Sequence, residues 1–358
     1  MRLEQLTFTR FIAAISIVVF HYGTNIFPFN LDVFSFIFQQ ASIGVSYFFI
    51  LSGFVMIIAY GQKKRIQFDN FIKRRVSRIY PVYLVAIILL MSFQLIMKIP
   101  IDSNGLIFNL TMIQAWIPGK ALSFNSPAWS ISVEMFFYIS FPLLFNYFYT
   151  KIEIKKLFIY ITLIFIISQC ILHFVLGSSF YQGFPSKSHD FIFYSPLMHF
   201  NEFLVGNIFG LIFIRMGKSK NTDLQIIILL IVLIILLRFN YGINYHNGML
   251  AFIFVPIIFL VSSNTGIISK ILKNKHLVFL GEISYGVYIL QVPVYNWVAM
   301  VLKYLNMNNL TFIFYASLAI LIILSAISFK YIESPIRIRI NSFQFINKPK
   351  SVDSQNFQ

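Results

Sequence analysis

The chain has 358 residues, of which 58% are hydrophobic and only 11% are charged. Soluble domains carry roughly 25% charged residues, so this composition excludes an ordinary soluble protein and indicates a membrane protein. The net charge of +16 does not indicate nucleic-acid binding, because the basic residues lie in short loops between apolar segments, where they act as orientation signals. The single cysteine, Cys170, excludes an intramolecular disulfide and a cysteine zinc cluster.

Ten apolar segments are long enough, or nearly long enough, to cross a bilayer. Their predicted limits are 7–27, 36–60, 79–97, 128–149, 157–176, 191–214, 224–240, 248–263, 278–302 and 310–332. A shorter apolar run, 106–117, is predicted to be interfacial or re-entrant. We therefore predict one all-α polytopic membrane domain over 1–340, followed by a polar, disordered tail over 341–358.

The distribution of lysine and arginine predicts the orientation of these segments. With the N-terminus in the cytoplasm, the inner loops and termini hold 22 of the 28 basic residues and the outer loops hold 5, with Arg10 inside the first segment. Basic residues concentrate on the cytoplasmic side of membrane proteins. This pattern predicts about ten transmembrane helices with both termini in the cytoplasm.

The first segment contains two ionisable residues, Arg10 and His21. Their spacing of eleven residues is three helical turns plus about 20°, so both side chains lie on one face, roughly 16 Å apart along the axis. Ionisable residues inside a transmembrane helix usually line a polar cavity. We expect the functional site on this face.

The loop after the second segment contains Arg74, Arg75 and Arg78. Arg75 and Arg78 are three residues apart, so at the start of a helix they face the same way and can hold phosphate oxygens between them. Orientation alone also places cations in an inner loop. The sequence leaves phosphate binding and an orientation signal as equal alternatives.

The fourth predicted helix opens with Trp129 and Ser130 and carries Glu134. In the predicted topology Glu134 lies about 10 Å and His21 about 9 Å below the outer surface, so the two can pair if their helices are neighbours. A carboxylate would then support His21 as a general base. A buried ion pair that only joins the two helices is the structural alternative, and Trp129 and Ser130 can be an interfacial residue and a helix cap.

The later segments contain further polar residues. His199 and Glu202 are three residues apart on one helix face, where packing and catalysis are equally good explanations. Glu282, Glu333 and Arg337 fall at predicted cytoplasmic helix ends and are expected to form solvated or interfacial ion pairs. No zinc, haem or Walker spacing is present, so no metal is predicted.

Six motifs occur in order along the chain: Arg10 to His21, 44–54, Arg75 to Arg78, Trp129 to Glu134, 280–289 and 332–335. Together they resemble the membrane acyltransferase 3 family, the integral membrane O-acyltransferases that modify bacterial surface glycans. One position departs from the pattern, because many members carry a histidine where this chain has Gln291. Without the extracytoplasmic hydrolase-like domain that some members carry, the chain is expected to be a stand-alone form.

The resemblance implies an enzyme of the bacterial inner membrane that takes an acyl group from cytoplasmic acyl-CoA, most often acetyl-CoA. The acceptor would be a hydroxyl of a lipid-linked or nascent surface glycan, and membrane lipids would be the remaining partners. Arg74, Arg75 and Arg78 would hold the donor phosphates, with Arg10 helping at the cavity mouth.

The resemblance also assigns catalytic roles. His21 would take the proton of the acceptor hydroxyl, and Glu134 would orient His21. Candidate acceptor contacts or oxyanion donors are Trp129, Ser130 and Tyr288. Two other functions remain open from the sequence: a secondary transporter, which predicts inverted internal repeats that are not evident here, and a non-catalytic component of polysaccharide export.

Overall fold

The computed structural model describes residues 3–217, 219–239 and 241–342. Within these ranges the protein has fifteen α-helices and no β-strand, which confirms the predicted helical fold class. The helices are α1 (Thr7–Tyr22), α2 (Asp32–Gln39), α3 (Gly44–Tyr60), α4 (Phe68–Ile96), α5 (Ser103–Leu110), α6 (Trp129–Leu144), α7 (Ile154–Leu176), α8 (Lys187–Tyr194), α9 (Phe200–Met216), α10 (Asp223–Arg238), α11 (Ala251–Ser263), α12 (Ile267–Leu272), α13 (Lys275–Tyr304), α14 (Leu310–Ser328) and α15 (Ser334–Ser342).

Eight helical segments of the described chain are long and apolar enough to cross a membrane. The two other predicted spans coincide with α10 and α11, which have only 16 and 13 residues. At 1.5 Å per residue α11 is about 20 Å long, which is shorter than the hydrocarbon core of about 30 Å. The count of ten is therefore not confirmed, and it stays a prediction.

The predicted parity does not depend on this count. The loops before α10 and after α11 lie together, since Asn264 accepts a hydrogen bond from the backbone N–H of Thr222 at 3.0 Å and donates one to Asp223 at 2.7 Å. The helices α10 and α11 thus form a hairpin whose two ends meet. Because eight and ten are both even, the predicted location of both termini on one side is compatible with either number.

Several helix limits differ from the predicted ones. The helix α4 begins at Phe68 rather than at 79, so the arginine-rich stretch is helical. The predicted span 191–214 is two helices, α8 and α9, interrupted at Pro196, which cannot supply a backbone N–H to a continuing helix. At the C-terminus, helical structure continues to Ser342, and the predicted disordered tail otherwise lies outside the described residues.

The closest helix crossing joins α3 and α9. A Cβ atom on Gly53 would meet the carbonyl oxygen of Phe203, and one on Gly206 would meet the carbonyl oxygen of Ile50. Each glycine therefore lets the backbone of the other helix approach directly, as small residues do at helix interfaces in membranes.

A third glycine fixes the position of α13 against α1. A Cβ atom on Gly281 would meet the backbone carbonyl of Thr7. This contact brings the start of α13 beside the first turn of α1, one turn before Arg10. As a result, the two helices that carry Arg10 and Glu282 run in contact at this end of the bundle.

The last span is interrupted by a π-helical turn, Phe329–Glu333. It lies directly before Pro335, whose ring would clash with the carbonyl oxygen four residues earlier in a regular α-helix, and a wider turn relieves that clash. Glu333 and Arg337 are four residues apart, and both line the cavity described below.

We expect Gly206→Ala to destabilise the protein, because the added methyl group would overlap the backbone of α3. Overpacking of this kind costs typically about 1–3 kcal/mol. Gly177→Ala is the control, since a Cβ atom there would meet no atom closer than 3.6 Å. The measurement is the midpoint of thermal loss of the monodisperse peak in size-exclusion chromatography, and equal midpoints for the two variants would contradict this account of the crossing.

Candidate functional site

A cavity of about 390 Å³ lies inside the bundle. Its walls come from α1, α3, α4, α6 and α13 and from the π-helical turn and α15. It therefore joins elements that are up to about 300 residues apart in the sequence. The lining includes six of the predicted site residues: Arg10, Arg75, Arg78, Ser130, Glu134 and Tyr288.

Four guanidinium groups line this cavity, from Arg10, Arg75, Arg78 and Arg337. In the described part of the chain, none of them forms a side-chain hydrogen bond or an ion pair with a carboxylate. All four arginines are half-buried, and a cation that is partly removed from water usually pairs with a carboxylate or binds an anion. The arrangement is chemically suited to an anionic ligand.

The guanidinium of Arg75 is positioned by aromatic rings rather than by a carboxylate. Its central carbon lies 5.5 Å from the ring centre of Tyr60, 5.1 Å from that of Phe71 and 5.7 Å from that of Tyr138. Its Nε atom is buried without a hydrogen-bond partner. Cation–π contacts hold the planar group in place without using its N–H donors, which leaves them available to a ligand.

Three carboxylates share the cavity: Glu134, Glu282 and Glu333. Glu134 accepts a hydrogen bond from the hydroxyl of Tyr138, one helical turn later, and acts electrostatically on Arg10, as does Glu333. Tyr138 is a site residue that the sequence analysis missed, although its i, i+4 spacing from Glu134 was a usable signal. The expectation of a solvated or interfacial group is wrong for Glu333, which is buried and lines the cavity, whereas Glu282 lines the cavity and is half-buried.

His21 lies outside this cavity, at the last turn of α1. Its Nδ1 atom is 2.8 Å from the Oε1 atom of Gln291, and no hydrogen bond or ion pair joins it to Glu134 among the described residues. The predicted His21–Glu134 pair is therefore wrong. Equal depth did not bring the two side chains together, because α13 and not α6 supplies the partner of His21.

The hydrogen bonds of Gln291 determine which nitrogen of His21 carries the proton. The amide nitrogen of Gln291 donates to the backbone carbonyl of Tyr288 at 2.7 Å, so the atom facing His21 is the carbonyl oxygen, which only accepts. The Nδ1 atom must therefore be the donor, which leaves the Nε2 lone pair of the exposed His21 ring unused. This is the tautomer that a general base requires.

Ser130 and Tyr288 form a small hydroxyl cluster at the cavity wall. The hydroxyl oxygens are 2.9 Å apart, and both hydroxyls donate to the carbonyl of Pro127, at 3.0 and 2.9 Å. Tyr288 is also one turn before Gln291 on α13. The cluster thus connects the cavity wall to α13, the helix whose Gln291 contacts His21. For either hydroxyl to donate a hydrogen bond to a substrate oxygen, its bond to Pro127 would first have to break.

Two predicted residues lie away from the cavity. Arg74 is exposed and lines a separate pocket at the start of α4. Trp129 packs on the other side of its helix, with its ring centre 4.9 Å from that of Tyr194 and 5.1 Å from that of His199. Neither residue lines the cavity that contains Arg10, Arg75 and Arg78.

His199 and Glu202 form the predicted second polar site. The Nδ1 atom of His199 is 2.7 Å from a carboxylate oxygen of Glu202, and its Nε2 atom donates to the carbonyl of Phe193 at 2.8 Å. Both side chains are buried, and the other oxygen of Glu202 has no partner.

The fold and the cavity define a multi-pass helical membrane protein with a buried cationic site. The family model described as "Acyltransferase domain", the acyltransferase 3 family, matches residues 3–331. The chain therefore belongs to this family, which confirms the resemblance found in its motifs.

Two relatives agree with this assignment. The chain is 30% identical over 229 residues to "Acyltransferase MdmB" of Streptomyces mycarofaciens, which covers 59% of this chain and 57% of that protein. It is 24% identical over 341 residues to "O-acetyltransferase OatA" of Staphylococcus aureus (strain MRSA252), covering 86% of this chain and 55% of that protein. The chain thus spans little more than half the length of these relatives. No solved structure matches it.

We expect His199→Ala and Glu202→Ala each to destabilise the protein strongly, because each leaves one member of a buried pair without its partner. Breaking such a pair typically costs about 3–5 kcal/mol. The double variant should lose less than the sum of the single losses, which a double-mutant cycle on thermal midpoints measures. His276→Ala, at an exposed histidine, is the control; additive losses would contradict the pairing.

Proposed function

We propose that the protein is an O-acyltransferase that moves an acyl group, most often acetyl, from cytoplasmic acyl-CoA to a hydroxyl of a lipid-linked or cell-surface glycan. The observation that carries this proposal is the cavity lined by four guanidinium groups for which the described residues provide no side-chain hydrogen-bond partner. Family membership supports acyl transfer, and the donor and the acceptor are the finer steps that we add. Family membership also favours an enzyme over a transporter or an export component.

The arginines are the proposed site of the donor phosphates. CoA carries several phosphate groups, and guanidinium groups bind phosphate oxygens through paired, charge-assisted hydrogen bonds. Arg75 and Arg78 lie one turn apart on α4, and Arg10 faces them from α1, so a phosphate between these helices would neutralise cations that otherwise have no partner. In this hypothesis Glu134 and Tyr138 position Arg10 and do not act on His21.

The cavity wall also contains apolar side chains, which offer a place for the pantetheine arm. Val45, Phe48 and Val55 of α3 line the cavity, as do Ser130 of α6 and Tyr288 of α13. An apolar wall suits a flexible chain that carries few charges. We infer that the thioester lies near the hydroxyl cluster, on the side of the cavity where α13 continues to Gln291.

His21 is the proposed general base. Its Nε2 atom takes the proton of the acceptor hydroxyl while the hydroxyl oxygen bonds to the thioester carbonyl carbon. The carbon–sulfur bond then breaks, and the leaving thiolate takes up the proton that His21 accepted, so the products are the O-acylated glycan and free CoA, and His21 is neutral again. Gln291 keeps His21 in the required tautomer, which is the role that the sequence assigned to Glu134.

We expect Arg78→Gln to raise the KM for acetyl-CoA by roughly ten- to a hundredfold, because one charge-assisted hydrogen bond to phosphate is lost. The measurement is release of free CoA by the purified protein with a glycan acceptor. Arg339→Gln removes an exposed arginine that does not line the cavity, and it should leave KM unchanged. Unchanged KM in both variants would refute donor binding at this cavity.

We expect His21→Ala to lower kcat by about 10²–10⁴-fold with little change in KM for acetyl-CoA, as loss of a general base does. Gln291→Ala should lower kcat by a smaller factor, and Gln291→Glu should restore it, since a carboxylate oxygen also accepts from Nδ1. Rapid-quench kinetics with labelled acetyl-CoA measure both constants. Full activity of a well-folded His21→Ala protein would exclude His21 as the base.

A further inference from the structure

A second pocket, of about 640 Å³, lies at the start of α4 beside the end of α6. Three cations line it, Lys63, Arg65 and Arg74, and the exposed rings of Phe68 and Tyr147 lie at its edge. Its lining in the described chain contains no carboxylate. This combination is suited to a ligand that has both negative charge and a flat aromatic face.

The pocket shares a wall with the arginine-lined cavity. Tyr60 and Phe71 line the second pocket, and the same two rings hold the guanidinium of Arg75 at 5.5 and 5.1 Å. Arg75 itself lines the first cavity. A single layer of side chains therefore separates the two spaces at this point.

The loop that carries the cations is fixed to the protein. The side-chain amide of Asn146, in the π-helical turn Phe145–Tyr149, both accepts from and donates to the backbone of Ile66, at 2.8 Å in each case. Lys63 also lies 5.2 Å above the ring of Tyr60. Positive charge that serves only to orient the chain needs no such attachment. The attachment indicates that the position of these cations matters.

We propose that this pocket binds the adenosine 3′-phosphate end of the CoA donor. Arg65 and Arg74 contact the 3′-phosphate, Lys63 adds a third positive charge, and the adenine ring stacks on the exposed side chain of Tyr147. Arg75 then lies between the nucleotide and the pantetheine arm, at the pyrophosphate. This inference rests on the proposed function, and it adds a selectivity: the enzyme distinguishes CoA thioesters from those of dephospho-CoA.

The test compares two donors, acetyl-CoA and acetyl-dephospho-CoA, with the full-length protein in nanodiscs of zwitterionic lipid. In the wild type, the KM for acetyl-CoA should be lower than the KM for acetyl-dephospho-CoA by roughly tenfold or more, because charge-assisted hydrogen bonds to the 3′-phosphate stabilise the bound donor by that factor. In the Arg65→Gln, Arg74→Gln double variant the two donors should have nearly equal KM values, because the KM for acetyl-CoA rises while that for acetyl-dephospho-CoA stays the same. Lys64→Ala is the matched control, since Lys64 is exposed in the same loop but does not line the pocket.

A second measurement needs no variant. Adenosine 3′,5′-bisphosphate should inhibit the wild-type enzyme competitively against acetyl-CoA, and adenosine 5′-monophosphate should inhibit at least tenfold more weakly. Equal inhibition by the two nucleotides would overturn the proposal even if the double variant failed to fold. So would an equal loss of selectivity in Lys64→Ala, because general surface charge would then be the cause.

An anionic lipid headgroup is the other source of a phosphate at this position, and a further arm tests it. The assay is repeated in nanodiscs that contain phosphatidylglycerol. Two results together would assign the pocket to lipid and overturn the proposal. The ratio of the two KM values would be the same in the double variant as in the wild type, and phosphatidylglycerol would change the activity of the wild type but not of the double variant. If neither thioester is turned over by the wild type, the proposed function fails; if both are turned over equally, only this inference fails.

Discussion

The placement of half-buried guanidinium groups inside the bundle, without a carboxylate hydrogen-bonded to them among the described residues, is the constraint on which the rest of the site depends. A charge removed from water and left unpaired costs several kcal/mol, and an apolar bundle offers few ways to reduce that cost. The protein uses aromatic faces around Arg75 and places Glu134 and Glu333 within electrostatic range of Arg10. These contacts hold the cations without using their N–H donors, so the binding capacity of the cavity for an anion is kept.

The sequence predicted the helices well, because hydropathy reports directly which residues can face lipid. It predicted the neighbours of each helix poorly. Depth in the membrane follows from counting residues, and it correctly placed His21 far from Arg10 along α1. However, depth is one coordinate, and the lateral packing of helices depends on close contacts such as that of Gly281 with Thr7. That contact brings α13 along α1 and gives His21 a partner, Gln291, that the depth argument did not consider.

The residues near the C-terminal end of the chain show a second limit of sequence reasoning. Glu333 and Arg337 follow a long apolar segment, and such residues are ordinarily placed in solvent at a helix end. The π-helical turn before Pro335 changes the direction in which they face, and the bundle continues past them in α15. A proline near a helix end is visible in a sequence, but whether the helix stops or widens depends on the packing around it.

The separation of Arg10 from His21 has a consequence for how the two substrates meet. Eleven residues of one helix hold the cationic cluster and the base roughly 16 Å apart, which is about half the thickness of the hydrocarbon core. In the proposed function, a charged nucleotide would stay at the arginine end while only its uncharged acyl arm extended towards His21. With the predicted orientation, the acyl group would cross about half of the hydrocarbon core within the protein, and the nucleotide and the glycan would each stay on its own side.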